Sequence, residues 1–134
     1  DGVTPVASAE ELYKTCQFVS LHIPATAETK QSINYSLLSL MPKGALLINT
    51  ARKEVIYEED LARILEDRTD FHYVADVAPT IADTLKEKFG NRIFFTPKKM
   101  GAQTSEANIN AGIAAARQSV GYLKDSIDKF RVNK

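Results

Sequence analysis

Four short apolar segments, separated by helical patterns, constrain the fold of this chain more than any other feature of its sequence. Each is rich in β-branched and aromatic residues and is typical of a strand. The four segments are FVSLHI at 18–23, ALLIN at 45–49, FHYVADV at 71–77 and RIFF at 92–95. Strands that alternate with helices over short connections are the pattern of right-handed βαβ units. The sequence therefore predicts the α/β class, with a parallel sheet covered by helices on both faces.

The helical segments have recognisable starts and apolar faces. Ser8 and Glu11 form a capping box for SAEELYKT, while EEDLARILEDR places Leu61, Ile64 and Leu65 on one face. SLLSLM and TLKEKF predict two shorter helices, and KEKFGNR is interpreted as a solvated helix end and turn. After the last strand, apolar residues repeat at alternating intervals of four and three, which predicts one long amphipathic helix. These residues are Ile109, Ile113, Ala116, Val120, Leu123, Ile127 and Phe130.

Composition argues against several classes of protein. The chain has 134 residues, of which 44% are hydrophobic, and this fits one globular domain. It carries 17 basic and 17 acidic residues, so no overall positive field indicates a nucleic-acid or membrane partner. The single cysteine, Cys16, is expected to be a small buried hydrophobe in a reducing compartment, and no metal site is indicated. No segment has the roughly 20 apolar residues of a membrane span, and no signal peptide opens the chain, so we expect a cytoplasmic protein.

Polar and ionisable residues follow each predicted strand, at the edge of a parallel sheet where ligands bind. Arg52 follows the second strand, and its guanidinium suits a carboxylate or a phosphate. Asp76 lies between apolar neighbours, where an ionised carboxylate needs a hydrogen-bond donor such as a ligand amide. Lys98 and Lys99 follow the fourth strand, shortly before the long helix. His22 is more simply a structural residue, and a merely solvated rim is the alternative for the whole set.

Several longer blocks carry a resemblance to a known family. They are FVSLHIPATAETKQSIN, LLSLMPKGALLINTAR, YVADV and TPKKMGAQTSEAN. In order and spacing they resemble the D-isomer-specific 2-hydroxyacid dehydrogenases, and within them the D-3-phosphoglycerate dehydrogenases. The resemblance implies a Rossmann-type NAD-binding domain inserted into a substrate domain. No G-x-G-x-x-G occurs here, so the chain corresponds to the C-terminal half of the doubly wound parallel sheet (1–104), followed by a long C-terminal helix and tail that return to the absent substrate domain (105–134).

The resemblance also implies a reaction and roles for individual residues. The reaction is hydride transfer between NAD and C2 of a small D-2-hydroxy acid, here 3-phosphoglycerate in serine biosynthesis, by an enzyme expected to be a homodimer. Arg52 corresponds to the arginine that holds the substrate carboxylate, and Asp76 to the acid near the nicotinamide carboxamide. The other implied cofactor contacts are Pro24 on the adenine side, Thr50 and Ala51 near the nicotinamide ribose, and Gly101 and Ala102 in the turn closest to the nicotinamide.

Two departures from the family pattern concern proton transfer. The family usually has Pro-His after the fourth strand and a Glu after the acid of the third, whereas this chain has Lys98 and Lys99 after Pro97, and Ile81 about where the Glu would fall. A neighbouring carboxylate would raise the pKa of a lysine, and cationic neighbours would lower it toward the working range. A lysine base is therefore expected to replace the histidine and glutamate together, as in a short branch of the family that lacks a regulatory domain. Counting from Pro97 selects Lys98, which we favour, and counting back from Gly101 selects Lys99.

Alternative functions remain open at the level of sequence. The substrate could be another small D-2-hydroxy acid without a phosphate. The chain could also belong to a non-catalytic NAD-sensing scaffold, like the C-terminal-binding-protein corepressors that resemble this family but keep the His and the Glu. NAD and NADP are not distinguished, because the discriminating acid lies outside the chain. The chain by itself is expected to be inactive, since half of the cofactor site is missing.

Overall fold

A computed structural model describes residues 2–97 and 104–128 of the chain. The chain divides into two compact units, residues 1–99 and 100–134, and each is described by itself. The division at residue 104 that the family resemblance implies stays a prediction.

The first unit alternates strands and helices throughout its described length. Its elements are α1 (Ala9–Thr15), β1 (Phe18–Leu21), α2 (Tyr35–Ser39), β2 (Leu46–Asn49), a 3-10 turn (Lys53–Val55), α3 (Glu58–Asp67), β3 (His72–Ala75), α4 (Ala82–Phe89) and β4 (Ile93–Phe95). Every predicted strand and helix of this unit is confirmed, with shorter strands than the apolar runs suggest. The α/β class follows directly from this order of elements.

The four strands form one parallel sheet in the order β1-β2-β3-β4. In its register, Leu21 lies beside Asn49, and Asn49 beside Ala75. A strand order equal to the chain order, joined by right-handed crossovers, puts all the crossover helices on one face. The burial pattern agrees, because alternate residues such as Val19 are buried while Phe18 is 64% exposed. The prediction that both faces are covered is therefore wrong for the described residues of this unit.

The core lies between the helices and the covered face of the sheet. Leu61, Ile64 and Leu65 of α3 are fully buried, which confirms the apolar face predicted for that helix. The start of α2 is fixed from two sides, since the Asn34 side chain accepts from the Leu37 N–H and Asp60 of α3 accepts from the Tyr35 N–H at 2.8 Å. The crossover helices are thus tied to each other as well as to the sheet.

Two sequence-based expectations for α1 need small corrections. Ser8 caps the helix as predicted and accepts from the Glu11 N–H at 3.2 Å. The Glu11 side chain, however, accepts from the N–H of Ala7 and not from that of Ser8. Cys16 at the end of the helix is only half-buried against the core, because the chain turns there into the first strand.

A network of charged residues occupies the amino end of the sheet. Arg68 donates to the backbone carbonyls of residues 41 and 42 at 2.7 and 2.8 Å and to the Asp70 carboxylate at 2.6 Å. Asp70 also accepts from the Gly44 N–H at 2.7 Å. The Arg68 guanidinium and this N–H hold the pKa of the Asp70 carboxyl well below its usual range. The network therefore joins the connection before β2 to the one before β3.

Arg92 belongs to the same end of the sheet. Its guanidinium donates to the carbonyls of Leu65 and Arg68, both at 2.7 Å. The interpretation of KEKFGNR as a solvated helix end and turn is thus wrong for two residues: Phe89 is buried in the core and Arg92 is half-buried. Carbonyls left without partners at the end of α3 supply acceptors that sequence alone does not reveal.

The second unit contains one long helix, α5 (Ser105–Asp125). Thr104 caps it, and its hydroxyl accepts from the Ala107 N–H at 3.1 Å. The predicted apolar repeat continues beyond the helix, because Ser126 adopts φ 54° and ends it; Ile127 therefore lies outside the helix, and Phe130 lies outside the described residues. No described residue of α5 is buried, and Leu123 is 80% exposed.

Candidate functional site at the carboxyl end of the sheet

Hydrogen bonds extend the sheet by one residue at its carboxyl end. The Asp76 N–H donates to the Asn49 carbonyl at 3.2 Å, and the Thr96 N–H donates to the Ala75 carbonyl at 3.1 Å. The Thr96 hydroxyl donates to the Asp76 carbonyl at 3.0 Å. The residues that follow β2, β3 and β4 are therefore held side by side, and Asp76 lies next to the segment that leads to Arg52.

The Asn49 side chain shapes the turn that follows β2. Asn49 is 1% exposed, and its Oδ1 accepts from the Ala51 N–H at 3.0 Å. Its Nδ2 donates to the Arg52 carbonyl at 3.0 Å and, more weakly, to the Tyr73 hydroxyl at 3.4 Å. Burial raises the pKa of Tyr73 to about 12, so this hydroxyl stays neutral. The sequence signal for this turn was an Asn at the end of an apolar strand, a residue that commonly bonds to the backbone two positions on.

Arg52 lies on the exposed side of this turn. Its guanidinium donates to the Ala51 carbonyl at 3.0 Å, and it forms no ion pair with any residue that the structure describes. Thr50 is exposed, whereas Ala51 is buried and has both its N–H and its carbonyl bonded within the chain. A backbone contact from Ala51 to a cofactor would thus use the second lone pair of its carbonyl.

Asp76 presents an unusual acceptor. Its Oδ1 is buried and has no hydrogen-bond partner within the described part of the chain. A buried acceptor without a donor costs about 1–3 kcal/mol, and more when it is charged. Such a group is stable only where something else compensates it, and a ligand N–H would do so.

The connection after Asp76 is held by a carboxylate from α3. Glu58 accepts from the Thr80 N–H at 2.7 Å, and the Lys53 amine lies 3.5 Å from the Thr80 hydroxyl. Ile81, which stands about where the family has its glutamate, is half-buried and packs against the core. The connection therefore presents an apolar residue at that position and is fixed by its neighbours.

The connection after β1 is held by its own hydroxyl groups. The Thr29 hydroxyl donates to the Pro24 carbonyl and accepts from the Thr26 N–H, and the Thr26 hydroxyl accepts from the Thr29 N–H. Pro24 itself is exposed at the start of this loop. His22 is also exposed, and its Nε2 lies 2.9 Å from the Ser20 hydroxyl.

The remaining predicted site residues, Lys98, Lys99, Gly101 and Ala102, lie outside the described residues. In the ranges 2–97 and 104–128, no group of three or more His, Cys, Asp or Glu side chains could hold a metal ion. None of the helices in these ranges is long and apolar enough to span a bilayer.

A parallel sheet in the order β1-β2-β3-β4, with polar residues after its strands, is the architecture of one half of a Rossmann-type α/β domain. The chain belongs to the D-isomer specific 2-hydroxyacid dehydrogenases, because the profile of their NAD binding domain matches residues 1–97. The resemblance read from the sequence blocks is thereby confirmed at the level of the family.

Individual relatives agree with this assignment. The NAD-bound 3-phosphoglycerate dehydrogenase of Entamoeba histolytica is 47% identical with a TM-score of 0.83, over 98% of this chain and 44% of that one. The D-3-phosphoglycerate dehydrogenase of Haemophilus influenzae is 34% identical over 96% of this chain and 32% of its own length. The D-lactate dehydrogenase of Aquifex aeolicus, solved with NAD and lactic acid, is 26% identical with a TM-score of 0.67, over 95% of this chain and 43% of that one. The chain thus spans less than half the length of these relatives.

Proposed function

We propose that the chain is the C-terminal part of the NAD-binding domain of a longer dehydrogenase. That enzyme oxidises 3-phospho-D-glycerate to 3-phosphohydroxypyruvate, the entry reaction of serine biosynthesis, with NAD as the oxidant. Support for this substrate comes from the names of relatives that match nearly the whole chain. We further propose that the enzyme is a cytoplasmic homodimer and that the 134-residue chain has no activity by itself.

The buried Oδ1 of Asp76 is the observation that carries the cofactor assignment. The nicotinamide ring of NAD bears a carboxamide, whose N–H groups are donors of the kind that this oxygen lacks. Asp76 thus orients the ring by accepting from the carboxamide. Thr50 and the Ala51 carbonyl lie on the neighbouring connection, where they contact the nicotinamide ribose, and Pro24 lines the adenine side.

Arg52 binds the substrate. Its guanidinium is exposed and uses only one of its donors within the described chain, so several N–H groups remain for the carboxylate of the hydroxy acid. A planar guanidinium pairs with a carboxylate through two parallel hydrogen bonds, which fixes the orientation of C2. This orientation is the contribution of Arg52 to the reaction.

A lysine amine removes the proton from the 2-hydroxyl group. NAD held by these residues would supply C4 of its nicotinamide ring as the acceptor of the hydride from C2 of the substrate. The C2–H bond breaks, the C2–O bond becomes a carbonyl, and the hydroxyl proton moves to the neutral amine of Lys98. The half-buried Ile81 supports this scheme, because a carboxylate there would raise the pKa of the lysine and keep it protonated. In this scheme Lys99 contributes a second positive charge that favours the neutral amine of Lys98, and Gly101 and Ala102 contact the nicotinamide.

Lysine substitutions in the complete protein that contains this chain test the proposal. We expect Lys98→Ala to lower kcat by about a hundredfold or more while KM changes little, as for the loss of a general base. Lys88 on α4 is exposed, so Lys88→Ala is the matched control and should leave both constants unchanged. A loss of kcat in Lys99→Ala with a nearly normal Lys98→Ala would assign the base to Lys99.

A substrate panel separates the two candidate substrates. The Aquifex aeolicus neighbour was solved with lactic acid, so a substrate without phosphate is the alternative with a specific observation behind it. We expect kcat/KM to be highest with 3-phosphoglycerate and much lower with D-lactate and D-glycerate. Higher kcat/KM with an unphosphorylated acid would contradict the substrate assignment, and absence of NAD reduction with every acid would contradict the dehydrogenase itself.

A further inference from the structure

The amide of Asn49 stands apart from the rest of the core. Among the residues that the structure describes, Asn49 is the only buried residue with an amide or a charged side chain. An apolar residue of similar volume would avoid the cost of burying polar atoms at this position. The presence of an amide therefore calls for a reason other than filling space.

The hydrogen bonds of this amide are directed at one short segment. Its Oδ1 accepts from the Ala51 N–H and its Nδ2 donates to the Arg52 carbonyl, both at 3.0 Å. The two bonds close the turn from both sides, so the backbone of Arg52 is held against the end of β2. The Asn49 carbonyl in addition accepts from the Asp76 N–H at 3.2 Å. Asn49 thus forms hydrogen bonds with the backbone of both Arg52 and Asp76.

Arg52 depends on this support because nothing else described holds its side chain. The guanidinium bonds only to the Ala51 carbonyl at 3.0 Å, and the position of that carbonyl is itself set by the turn that Asn49 closes. A displacement of the turn would move the guanidinium as a unit. Misplacement of a substrate-holding group by about 1 Å can cost on the order of a hundredfold in rate.

We propose that Asn49 is a positioning residue that acts through Arg52. Its side-chain amide fixes the turn of residues 50–52, so that the guanidinium faces the substrate carboxylate before the substrate arrives. This inference rests on the proposed function, because it takes Arg52 as the carboxylate ligand. Tyr73 has a supporting part, since its hydroxyl lies 3.4 Å from the Asn49 Nδ2 and is kept neutral by burial.

A double-mutant cycle in the complete protein tests this role. Asn49→Ala alone is expected to lower kcat/KM by about tenfold to a hundredfold, mainly through KM for the hydroxy acid. In an Arg52→Ala background, the same change should lower kcat/KM by no more than about twofold, because the group on which Asn49 acts is gone. An equal effect of Asn49→Ala in both backgrounds would overturn the proposal.

Two further variants distinguish loss of the turn that positions Arg52 from a general loss of packing around β2. Leu47 lies two residues earlier on β2, faces the same side and is fully buried, so Leu47→Ala is a packing control. It should lower stability but leave kcat/KM of the folded enzyme within about twofold of the wild type. Asn49→Ser keeps a hydroxyl that can accept from the Ala51 N–H, and partial recovery relative to Asn49→Ala is expected. If Leu47→Ala reduces kcat/KM as much as Asn49→Ala, the effect is one of packing and the proposal is wrong.

Hydrogen exchange provides a readout that does not depend on activity. The Ala51 amide of the complete protein should exchange at least about tenfold faster in Asn49→Ala than in the wild type, and close to the wild-type rate in Leu47→Ala. Unchanged exchange at Ala51 would overturn the proposed turn closure even if the enzyme is active. Faster exchange in a protein that oxidises no hydroxy acid would instead refute the proposed function and leave the turn closure standing.

Discussion

Arg68 and Arg52 lie at opposite ends of the same sheet and are used in opposite ways. Arg68, at the amino end, donates to two backbone carbonyls and to the Asp70 carboxylate. Arg52, at the carboxyl end, is exposed and donates within the described chain only to the neighbouring Ala51 carbonyl. The first guanidinium joins connections that are distant in sequence, and the second keeps most of its donors for another molecule.

The acids at the two ends differ in the same way. Asp70 accepts from Arg68 and from the Gly44 N–H, so its carboxylate is well satisfied. Asp76 has a buried Oδ1 without a partner in the described part of the chain. Polar groups that are fully bonded stabilise a fold, whereas polar groups left incomplete in a buried setting indicate where a ligand completes them. Arg68 and Asp70 are therefore structural charges, whereas Arg52 and Asp76 are candidate binding charges.

Arg68→Ala, at the amino end of the sheet, is expected to cause the largest loss of stability. The variant removes charge-assisted bonds to three acceptors, and the free energy of unfolding should fall by about 3 kcal/mol, measured by urea denaturation. Arg63 on α3 is the control, because its ion pair with Asp67 spans 3.8 Å between side chains that are 64% and 48% exposed. Arg63→Ala should cost less than about 1 kcal/mol even with loss of its contact to the Tyr35 ring. If Arg68→Ala and Arg63→Ala lower the free energy of unfolding equally, Arg68 has no special structural role at the amino end.

Asp76→Asn, at the carboxyl end of the sheet, should lower the affinity for NAD without lowering the stability of the fold. Removing the charge of a half-buried carboxylate whose Oδ1 lacks a described donor should leave the free energy of unfolding unchanged or raise it by up to about 1 kcal/mol. NAD affinity of the complete protein should fall by about tenfold, because the carboxamide loses a charged acceptor. Asp83 on α4 is exposed, and Asp83→Asn is the control for the change of charge. Destabilisation comparable to that of Arg68→Ala would make Asp76 a structural residue.

Gly44→Ala tests the backbone conformation at the amino end of the sheet. Gly44 has φ +74°, and an added Cβ would lie 2.9 Å from the Gln17 Nε2. The left-handed conformation should cost a residue with a side chain about 1 kcal/mol, detected as a lower urea midpoint. Gly112 in α5 has open space around its Cβ position. Gly112→Ala should therefore be neutral or stabilising by up to about 1 kcal/mol, and a loss there equal to that of Gly44→Ala would contradict the explanation.

The smallest expected effect is the acid dependence of the Asp70 network. Because the pKa of Asp70 is depressed in the folded chain, its stabilising contribution is present above the unfolded pKa near 4 and is lost as the pH falls toward the folded value. The difference in unfolding free energy between the wild type and Asp70→Asn should be constant from about pH 7 to pH 5 and shrink below about pH 4. Urea titrations over this range provide the measurement, and a difference that grows on acidification would contradict the assigned sign.

The elements of this fold could be read from the sequence because local periodicity is a property of neighbouring residues. The apolar face of α3 and the cap at Ser8 were visible in this way. The end of α5 was not, since the left-handed Ser126 interrupts an apolar repeat that continues in the sequence to Ile127. The bonds of Arg92 to carbonyls of the α3 end were hidden for a similar reason, because its acceptors lie more than twenty residues away.

For the candidate site, the sequence indicated residue types and the sheet brought them together. Arg52 and Asp76 were recognisable as polar residues after apolar strands, and the blocks around them identified the family. The part played by Asn49 became visible only through its side-chain bonds to Ala51 and Arg52. The sequence shows that the Asn49 side chain can donate and accept hydrogen bonds, but it does not show which groups are its partners.

The alternation of strands and helices, and with it the α/β class, follows from the amino-acid sequence alone, because hydrophobic spacing acts over a few residues. That the described helices of the first unit cover one face of the sheet is a tertiary feature, since the order of strands is a relation between distant segments. The same relation between distant segments gives Arg68 four hydrogen bonds within the described chain and leaves Arg52 with one, to the neighbouring Ala51 carbonyl. Whether a charge is satisfied depends on the partners that folding places within about 3 Å of it.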